Sequence, residues 1–189
     1  MVLTFLPNFY EGLRICRYNG FRYSSNFLRI NVQKQKMDLY CLGQDKCYHL
    51  RKTYLISTSV FGTGCLQNSK KTPLGLHRIA RKIGGGYPQG TIFKGRIPVK
   101  SKGAFLYTWR GMPKAKISNR ILWLEGLEFG KNKGADLDTF KRYVYIHGVG
   151  DELTLGKPAS SGCIHVAGAD LFPLYERCNE GDLVWIEER

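Results

Sequence analysis

One stretch, YIHGVGDELTLGKPASSGCIHV at residues 145–166, carries the most information about the fold. It opens with a short apolar run that ends at His147 and a glycine, as a buried strand does before a turn. Sixteen residues after His147, the chain reaches Cys163 in a second glycine-flanked turn, SSGCI. Two strand ends joined by such a loop can bring their side chains together, so His147 and Cys163 are a candidate pair.

The chemistry of a thiol explains why this pair is of interest. A thiol attacks a carbonyl well only as the thiolate, so it needs a nearby base or another feature that lowers its pKa. An imidazole is the usual base because it titrates near neutrality. Gly162 allows a tight turn whose amides could face a developing oxyanion. The residues alone leave a second interpretation open, a buried structural cysteine beside an unrelated loop histidine.

The regions around this stretch predict a mainly β, single-domain sheet structure. Residues 28–42 alternate as a strand pair or as one strand with a bulge, and residues 52–60 are rich in β-branched and aromatic side chains. Residues 120–129 are typical of a buried strand, and residues 181–188 of a closing strand after a glycine turn. Residues 170–178, DLFPLYERC, predict a short helix that begins at the aspartate.

Charge is unevenly distributed along this chain of 189 residues, whose formal net charge is +14. Residues 66–142 hold 17 basic and four acidic side chains, whereas residues 143–189 hold three and eight. A basic region attracts polyanions such as nucleic acid, anionic lipid or anionic wall polymer. The basic residues are scattered and form no nucleic-acid motif, so we expect no nucleic-acid partner.

Cysteine spacing and hydropathy exclude two further classes. No CxxC pair occurs among the six cysteines, so no zinc site is predicted, and all but Cys163 are expected to be buried free thiols. No segment reaches the roughly 20 apolar residues that a membrane span needs. Residues 1–27 lack the pattern of a signal peptide. An arm, an atypical targeting segment and sequence read from an early start codon all remain open for them.

Several segments, taken in order, resemble the L,D-transpeptidase catalytic domain (YkuD) family. IHG, a loop with LGKPAS, and then SGCI are similar to that family's signature of HG, a loop, and S-H-G-C. INVQKQKMDLY resembles its opening strand, KTPLGLHRIARKIGGG its Thr-Pro-x-Gly turn, and DLFPLYERCNEGDLVWI its closing helix and strand. The resemblance covers roughly residues 28–187. It implies a catalytic domain at 28–189 and an extension of unknown role at 1–27.

The resemblance implies a mainly β fold, a β-sandwich of mixed sheets with a short helical cap. It also implies catalytic roles: Cys163 as the nucleophile, His147 as its base, and the backbone carbonyl of Gly148 as the group that orients the imidazole. Amides around Ser161, Gly162 and the cysteine would form an oxyanion hole. Tyr145 is expected beside the site, as a substrate-binding residue.

The implied substrate is the tetrapeptide stem of peptidoglycan. The cysteine would attack the L,D bond after the third residue, expel the terminal D-alanine, and pass the acyl group to an amine or to water. No metal or organic cofactor is implied, and we expect a monomer. The substrate implies the cell envelope, but no convincing export signal is present, so a cytoplasmic or atypically targeted form stays open.

Two positions depart from the family pattern. Ser161 replaces the histidine of S-H-G-C, and His165 replaces an arginine two residues after the cysteine. A histidine is only partly charged near neutral pH, so binding of a substrate carboxylate by His165 should weaken as pH rises. If residues 161–165 are extended, Ser161, Cys163 and His165 share one face, and His165 would partly replace the missing imidazole. A catalytically weakened peptidoglycan-binding protein of the same fold is the alternative.

Overall fold

Strands form most of the described chain. The computed structural model describes residues 12–14, 17, 20–88, 91–94, 96–98, 117–149 and 151–189. The strands are β1 Asn26–Asn31, β2 Lys36–Leu42, β3 Tyr48–Ser57, β4 Gly75–Ile83, β5 Ile92–Lys94, β6 Ile97–Pro98, β7 Ile117–Gly126, β8 Tyr145–Gly148, β9 Ile164–Val166 and β10 Leu183–Glu187. Helix α1 is Gly168–Arg177.

The strands lie in a single mixed sheet, in the order β4-β10-β1-β2-β3-β9-β8-β7-β5-β6. Strands β1 and β10 are parallel, as are β8 and β9, and the other pairs are antiparallel. Strand β4 also pairs with β7, so the sheet closes on itself as a barrel. The mainly β prediction is confirmed, but the predicted sandwich is wrong in this detail. The β4–β7 register shifts between Ile79 and Arg81, and such a bulge bends a strand so that the sheet can close.

The first hairpin follows directly from the sequence pattern. Leu28 and Ile30 of β1 and Met37 and Leu39 of β2 are fully or almost fully buried, as a period of two predicts. The strand pair predicted for residues 28–42 is therefore confirmed, with the turn between the two strands. These side chains belong to a core that also contains residues of β7, β8, β9, β10 and α1.

Helix α1 covers the core next to β7 and β8. Leu171, Leu174 and Tyr175 are its buried apolar side chains, and the first two are completely inaccessible. The predicted helix is present, but it begins at Gly168, so the predicted start at Asp170 is wrong. The residue at the N-cap is an alanine, which makes no side-chain capping bond.

The N-terminal extension is described only in part, since residues 1–11, 15–16 and 18–19 lie outside the described residues. Strand β1 begins at Asn26, two residues before the predicted start of the domain. Leu13 and Phe21 pack against the cluster that contains Trp185. Within the described ranges, no helix has the length and apolar character that crossing a bilayer requires.

Candidate active site

The parallel pair β8–β9 forms the floor of the site. Ile146 pairs with Ile164 and His147 with His165. Both isoleucines are fully buried and face the main core. Side chains alternate along a strand, so His147 and His165 lie on the opposite face. Cys163, immediately before β9, packs with the aromatic cluster on that face and lies two residues before His165, the strand partner of His147.

The loop between β8 and β9 is held in place by strand β3 and the residues after it. The Gly156 amide donates to Ile56 O at 2.9 Å, and the Ser160 amide donates to Thr58 O at 2.9 Å. These bonds satisfy backbone groups that a loop would otherwise leave unpaired. The returning chain is thereby fixed at the end of β3, and Cys163 is brought back beside β8.

His147 is oriented by the backbone. Its Nδ1 lies 2.8 Å from the Gly148 carbonyl oxygen. Because a carbonyl only accepts hydrogen bonds, Nδ1 carries the proton in the neutral ring, and Nε2 keeps a lone pair. Burial lowers the pKa of His147 to about 4, although the Gly148 bond opposes this shift. At neutral pH the ring is therefore an uncharged proton acceptor.

Cys163 is a neutral thiol in this state. Burial raises its pKa to about 11, opposed by a backbone hydrogen bond at Tyr145 and by the charge of Arg142. The Sγ atom lies 3.6 Å from Tyr143 O, to which it donates weakly. The Cys163 thiol and the His147 imidazole are both uncharged at pH 7, so a thiolate would form only when the thiol proton moves to a base.

The turn before the cysteine is built on Ser160 and Gly162. The Ser160 hydroxyl donates to Cys163 O at 2.6 Å and accepts from the Gly162 amide at 3.2 Å. Gly162 has φ of +118°, so residues 161–165 are not extended throughout. The expectation that Ser161 shares a face with Cys163 therefore fails, and Ser161 is exposed. The Gly162 amide is thus engaged within the turn.

His165 contacts His147 edge to face. The ring centroids are 4.8 Å apart, with 63° between the planes. Burial, and then the charge of His147, lower the pKa of His165 to about 3. The prediction that His165 is partly charged near neutral pH is therefore wrong, because the site desolvates the ring. Its Nδ1 atom is buried and has no hydrogen-bond partner among the described residues.

Thr72, for which the sequence predicts a turn residue at the edge of the pocket, contributes to the site. Its buried hydroxyl donates to Gly162 O at 3.1 Å and accepts from the Ser59 amide at 3.0 Å. This hydroxyl thus joins the cysteine turn to the segment after β3. The Thr-Pro-x-Gly pattern in the sequence indicated the turn, but it could not indicate the hydrogen-bond partners of the Thr72 hydroxyl.

Arg142 is a site residue that the sequence did not reveal. Its guanidinium donates to Gly64 O at 3.2 Å, Ser69 Oγ at 3.3 Å and Lys71 O at 2.7 Å. A Cβ atom on Gly162 would lie 3.4 Å from that same Lys71 oxygen. Arg142 therefore holds the loop that borders the cysteine turn. No local pattern could indicate this, since the partners lie more than 70 residues away.

Tyr145 lies beside the cysteine, as expected. It is only 4% exposed and belongs to a cluster with Phe93 and Ile121, against which Cys163 packs. In the part of the chain that the structure describes, no group of three His, Cys, Asp or Glu residues could hold a metal ion.

The cysteines outside the site differ in burial. The five described cysteines are all free thiols, and Cys178 is buried as predicted. Cys47 is exposed and Cys41 and Cys65 are half-buried, so the expectation of buried thiols is wrong for these three. Cys47 lies in the turn that leads into β3 rather than in the core. Cys16 lies outside the described residues.

Comparison with known proteins identifies the family. The family model of the L,D-transpeptidase catalytic domain (YkuD) matches residues 25–186. The chain belongs to this family. No curated protein matches the sequence significantly.

Solved structures share the fold at low identity. Pgp2, the helical cell shape determining protein from Campylobacter jejuni, is 16% identical, with a TM-score of 0.55 over 89% of this chain and 50% of that one. Bd1075 from Bdellovibrio bacteriovorus is 11% identical, with a TM-score of 0.54 over 88% and 48%. L,D-transpeptidase 3 from Mycobacterium tuberculosis, in complex with a faropenem-derived adduct, is 14% identical, with a TM-score of 0.50 over 87% and 60%. The chain thus spans less than two thirds of each of these proteins.

Proposed function

We propose that this chain is a cysteine-dependent L,D-transpeptidase that acts on the tetrapeptide stems of peptidoglycan through a thioester. One observation carries the proposal. The β8–β9 register supports it: Cys163 lies two residues before His165, the strand partner of His147, and the His147 Nδ1 is committed to Gly148 O at 2.8 Å. Membership of the family supplies the reaction class.

The first half-reaction forms the acyl-enzyme. The Cys163 thiol proton moves to Nε2 of His147 as Sγ attacks the carbonyl carbon after the third stem residue. The C–N bond then breaks, and the leaving D-alanine amine takes the proton from His147. The thioester remains on Cys163, and the imidazole returns to its neutral form.

The second half-reaction transfers the acyl group. An amine acceptor or water loses a proton to His147 and attacks the thioester carbon, and the C–S bond breaks. The thiolate leaves and recovers the proton from the imidazolium. The backbone bond to Gly148 holds the same tautomer through both steps, because Nδ1 never releases its proton.

Backbone amides of Ser161 and Cys163 are the proposed oxyanion donors. Ser160, Thr72 and Gly162 hold the turn that carries them. Such donors act without reorganisation during the reaction, which is why a rigid turn is of value here. Ser161 contributes its amide, so the missing family histidine does not remove this function.

The neutral state of the resting pair fits an enzyme activated by its substrate. With Cys163 near pKa 11 and His147 near 4, the thiolate form is rare until a substrate excludes water and stabilises the charges. The substrate is wall material, so we expect the protein to act in the cell envelope. Monomeric state and the lack of a nucleic-acid partner remain predictions.

The direct test is incubation with purified tetrapeptide wall fragments, followed by mass spectrometry of the products. We expect loss of D-alanine with transfer, exchange or hydrolysis, and no product from a Cys163→Ala protein. Release of D-alanine by the Cys163→Ala protein would contradict the proposed nucleophile.

Labelling with a carbapenem distinguishes the proposed enzyme from the alternative, a catalytically weakened binding protein. The proposal predicts one covalent adduct per chain on Cys163, seen by intact mass and peptide mapping. A folded wild-type sample that binds wall fragments but forms neither adduct nor product would favour the binding protein.

A further inference from the structure

A permanent positive charge lies against the aromatic side chains around Cys163, although the family's arginine at position 165 is absent. The Arg96 guanidinium carbon is 4.9 Å from the centroid of the Trp123 ring and 4.7 Å from that of Tyr143. One of its nitrogens donates to the Tyr145 hydroxyl at 3.2 Å. Two aromatic faces and a phenol thus fix the position of a side chain that is otherwise exposed.

These aromatic side chains connect Arg96 with the site. Tyr145 lies opposite Cys163, because the next residues, Ile146 and Ile164, are partners in the β8–β9 register. Tyr143 contributes the carbonyl oxygen that lies 3.6 Å from the thiol sulfur. The guanidinium therefore contacts Tyr145, which belongs to the cluster against which Cys163 packs.

The guanidinium keeps donors available for a ligand. A guanidinium has five N–H groups in a planar fork that suits a carboxylate. The Tyr145 and Tyr143 hydroxyls engage part of this fork, and among the described residues no carboxylate forms an ion pair with Arg96. An arginine with a purely structural role has no use for N–H donors that lack a protein partner. An arginine that binds an anion requires such donors.

His165 cannot supply this charge. It occupies the family's arginine position but is neutral at physiological pH, as its burial requires. A tetrapeptide stem carries carboxylates, and an arginine near the scissile bond can bind one of them. Arg96 is an exposed cation that contacts Trp123, Tyr143 and Tyr145.

We propose that Arg96, held by Trp123, Tyr143 and Tyr145, is a specificity residue that binds a carboxylate of the peptide substrate. This rests on the proposed function, since the ligand is the same stem peptide. The occupant is a carboxylate on a peptide, and neither lipid nor nucleic acid is invoked.

The test measures equilibrium binding of a synthetic stem tetrapeptide to the Cys163→Ala protein by calorimetry, with Arg96→Gln and Arg96→Lys added. We expect Arg96→Gln to weaken binding on the order of fivefold, as for a solvent-exposed ion pair, and Arg96→Lys to weaken it less. Arg51→Gln is the matched control. It removes the same charge from an exposed position in β3, and should leave affinity unchanged.

A second set of peptides, each with one carboxylate converted to an amide, gives the decisive comparison. To the protein that keeps Arg96, one of the amidated peptides should bind about fivefold more weakly than the parent tetrapeptide. To the Arg96→Gln protein, that amidated peptide and the parent should bind with equal affinity. Equal losses in both proteins for every amide, or no binding of any peptide, would overturn the role of Arg96. Normal binding with the expected Arg96 pattern, but no turnover by wild type, would instead overturn the proposed function.

Discussion

His147 and His165 lie side by side on neighbouring parallel strands, with ring centroids 4.8 Å apart, and both are neutral. Only His147 has a backbone partner that fixes its tautomer, the Gly148 carbonyl. This asymmetry supports His147 as the base, because its Nε2 lone pair is defined, whereas Nδ1 of His165 has no partner among the described residues.

Replacement of Cys163 by serine should abolish turnover without unfolding the chain. A serine hydroxyl is a far weaker nucleophile beside a base of low pKa, so we expect a loss of at least about a thousandfold in kcat. Product formation from tetrapeptide fragments is the measurement. Cys47→Ser, at an exposed site in another loop, is the control and should retain full activity.

Alkylation of Cys163 by iodoacetamide should be slow at neutral pH and should accelerate steeply with alkalinity. With a thiol pKa near 11, the rate should rise about tenfold per pH unit between pH 7 and 10. Peptide mass spectrometry resolves this residue from the other cysteines. A plateau reached below pH 8 would contradict the buried, neutral thiol.

Loss of Arg142 should slow that alkylation further. Its charge favours the thiolate and its guanidinium holds the Gly64–Lys71 segment, so Arg142→Gln should shift the rate profile to higher pH and lower turnover at least severalfold. Arg142→Lys keeps the charge but loses the fork. If Arg142→Lys lowers turnover but leaves the pH profile of alkylation unchanged, the loss of turnover comes from the altered loop and not from the charge.

Replacement of Gly162 by alanine should reduce turnover by more than the accompanying loss of thermal stability can explain. Its φ of +118° is strained for any other residue, and the added Cβ would lie 3.4 Å from Lys71 O. Gly181→Ala is a matched control, because that glycine has φ of +95° and an added Cβ there would meet no atom within 4 Å. We expect comparable losses in thermal stability, but a loss of activity of about tenfold or more only for Gly162→Ala. Equal activity in both variants would contradict the role given to the turn.

Stability should fall as pH decreases from about 6.5 towards 4. Burial lowers the pKa of His77 and of His165 to about 3, and that of His147 to about 4. In this range the unfolded chain binds protons that the folded chain excludes, so the free energy of unfolding decreases by up to about 1.4 kcal/mol per pH unit for each ring. Urea denaturation at several pH values measures this. His77→Gln should flatten the dependence, and an unchanged slope in that variant would contradict the assignment.

Local patterns predicted most elements correctly, because alternation and turn residues act over a few positions. The alternation in residues 28–42 gave the first hairpin, and the apolar run before His147 gave β8. Barrel closure was not predicted, since the β4–β7 pairing depends on a bulge that no pattern of apolar residues encodes. The helix start was also missed, because Asp170 has the side chain of a cap but lies within the first turn.

Residue type and spacing along the chain are enough to specify the mainly β architecture, the family, and the candidate pair of Cys163 and His147. The charge states and the partners of the site residues depend on the folded chain instead. Burial makes His165 neutral, whereas its residue type alone suggested partial charge. Arg96 and Arg142 reach the site through contacts with residues more than 20 positions away, and such contacts exist only once the sheet has closed.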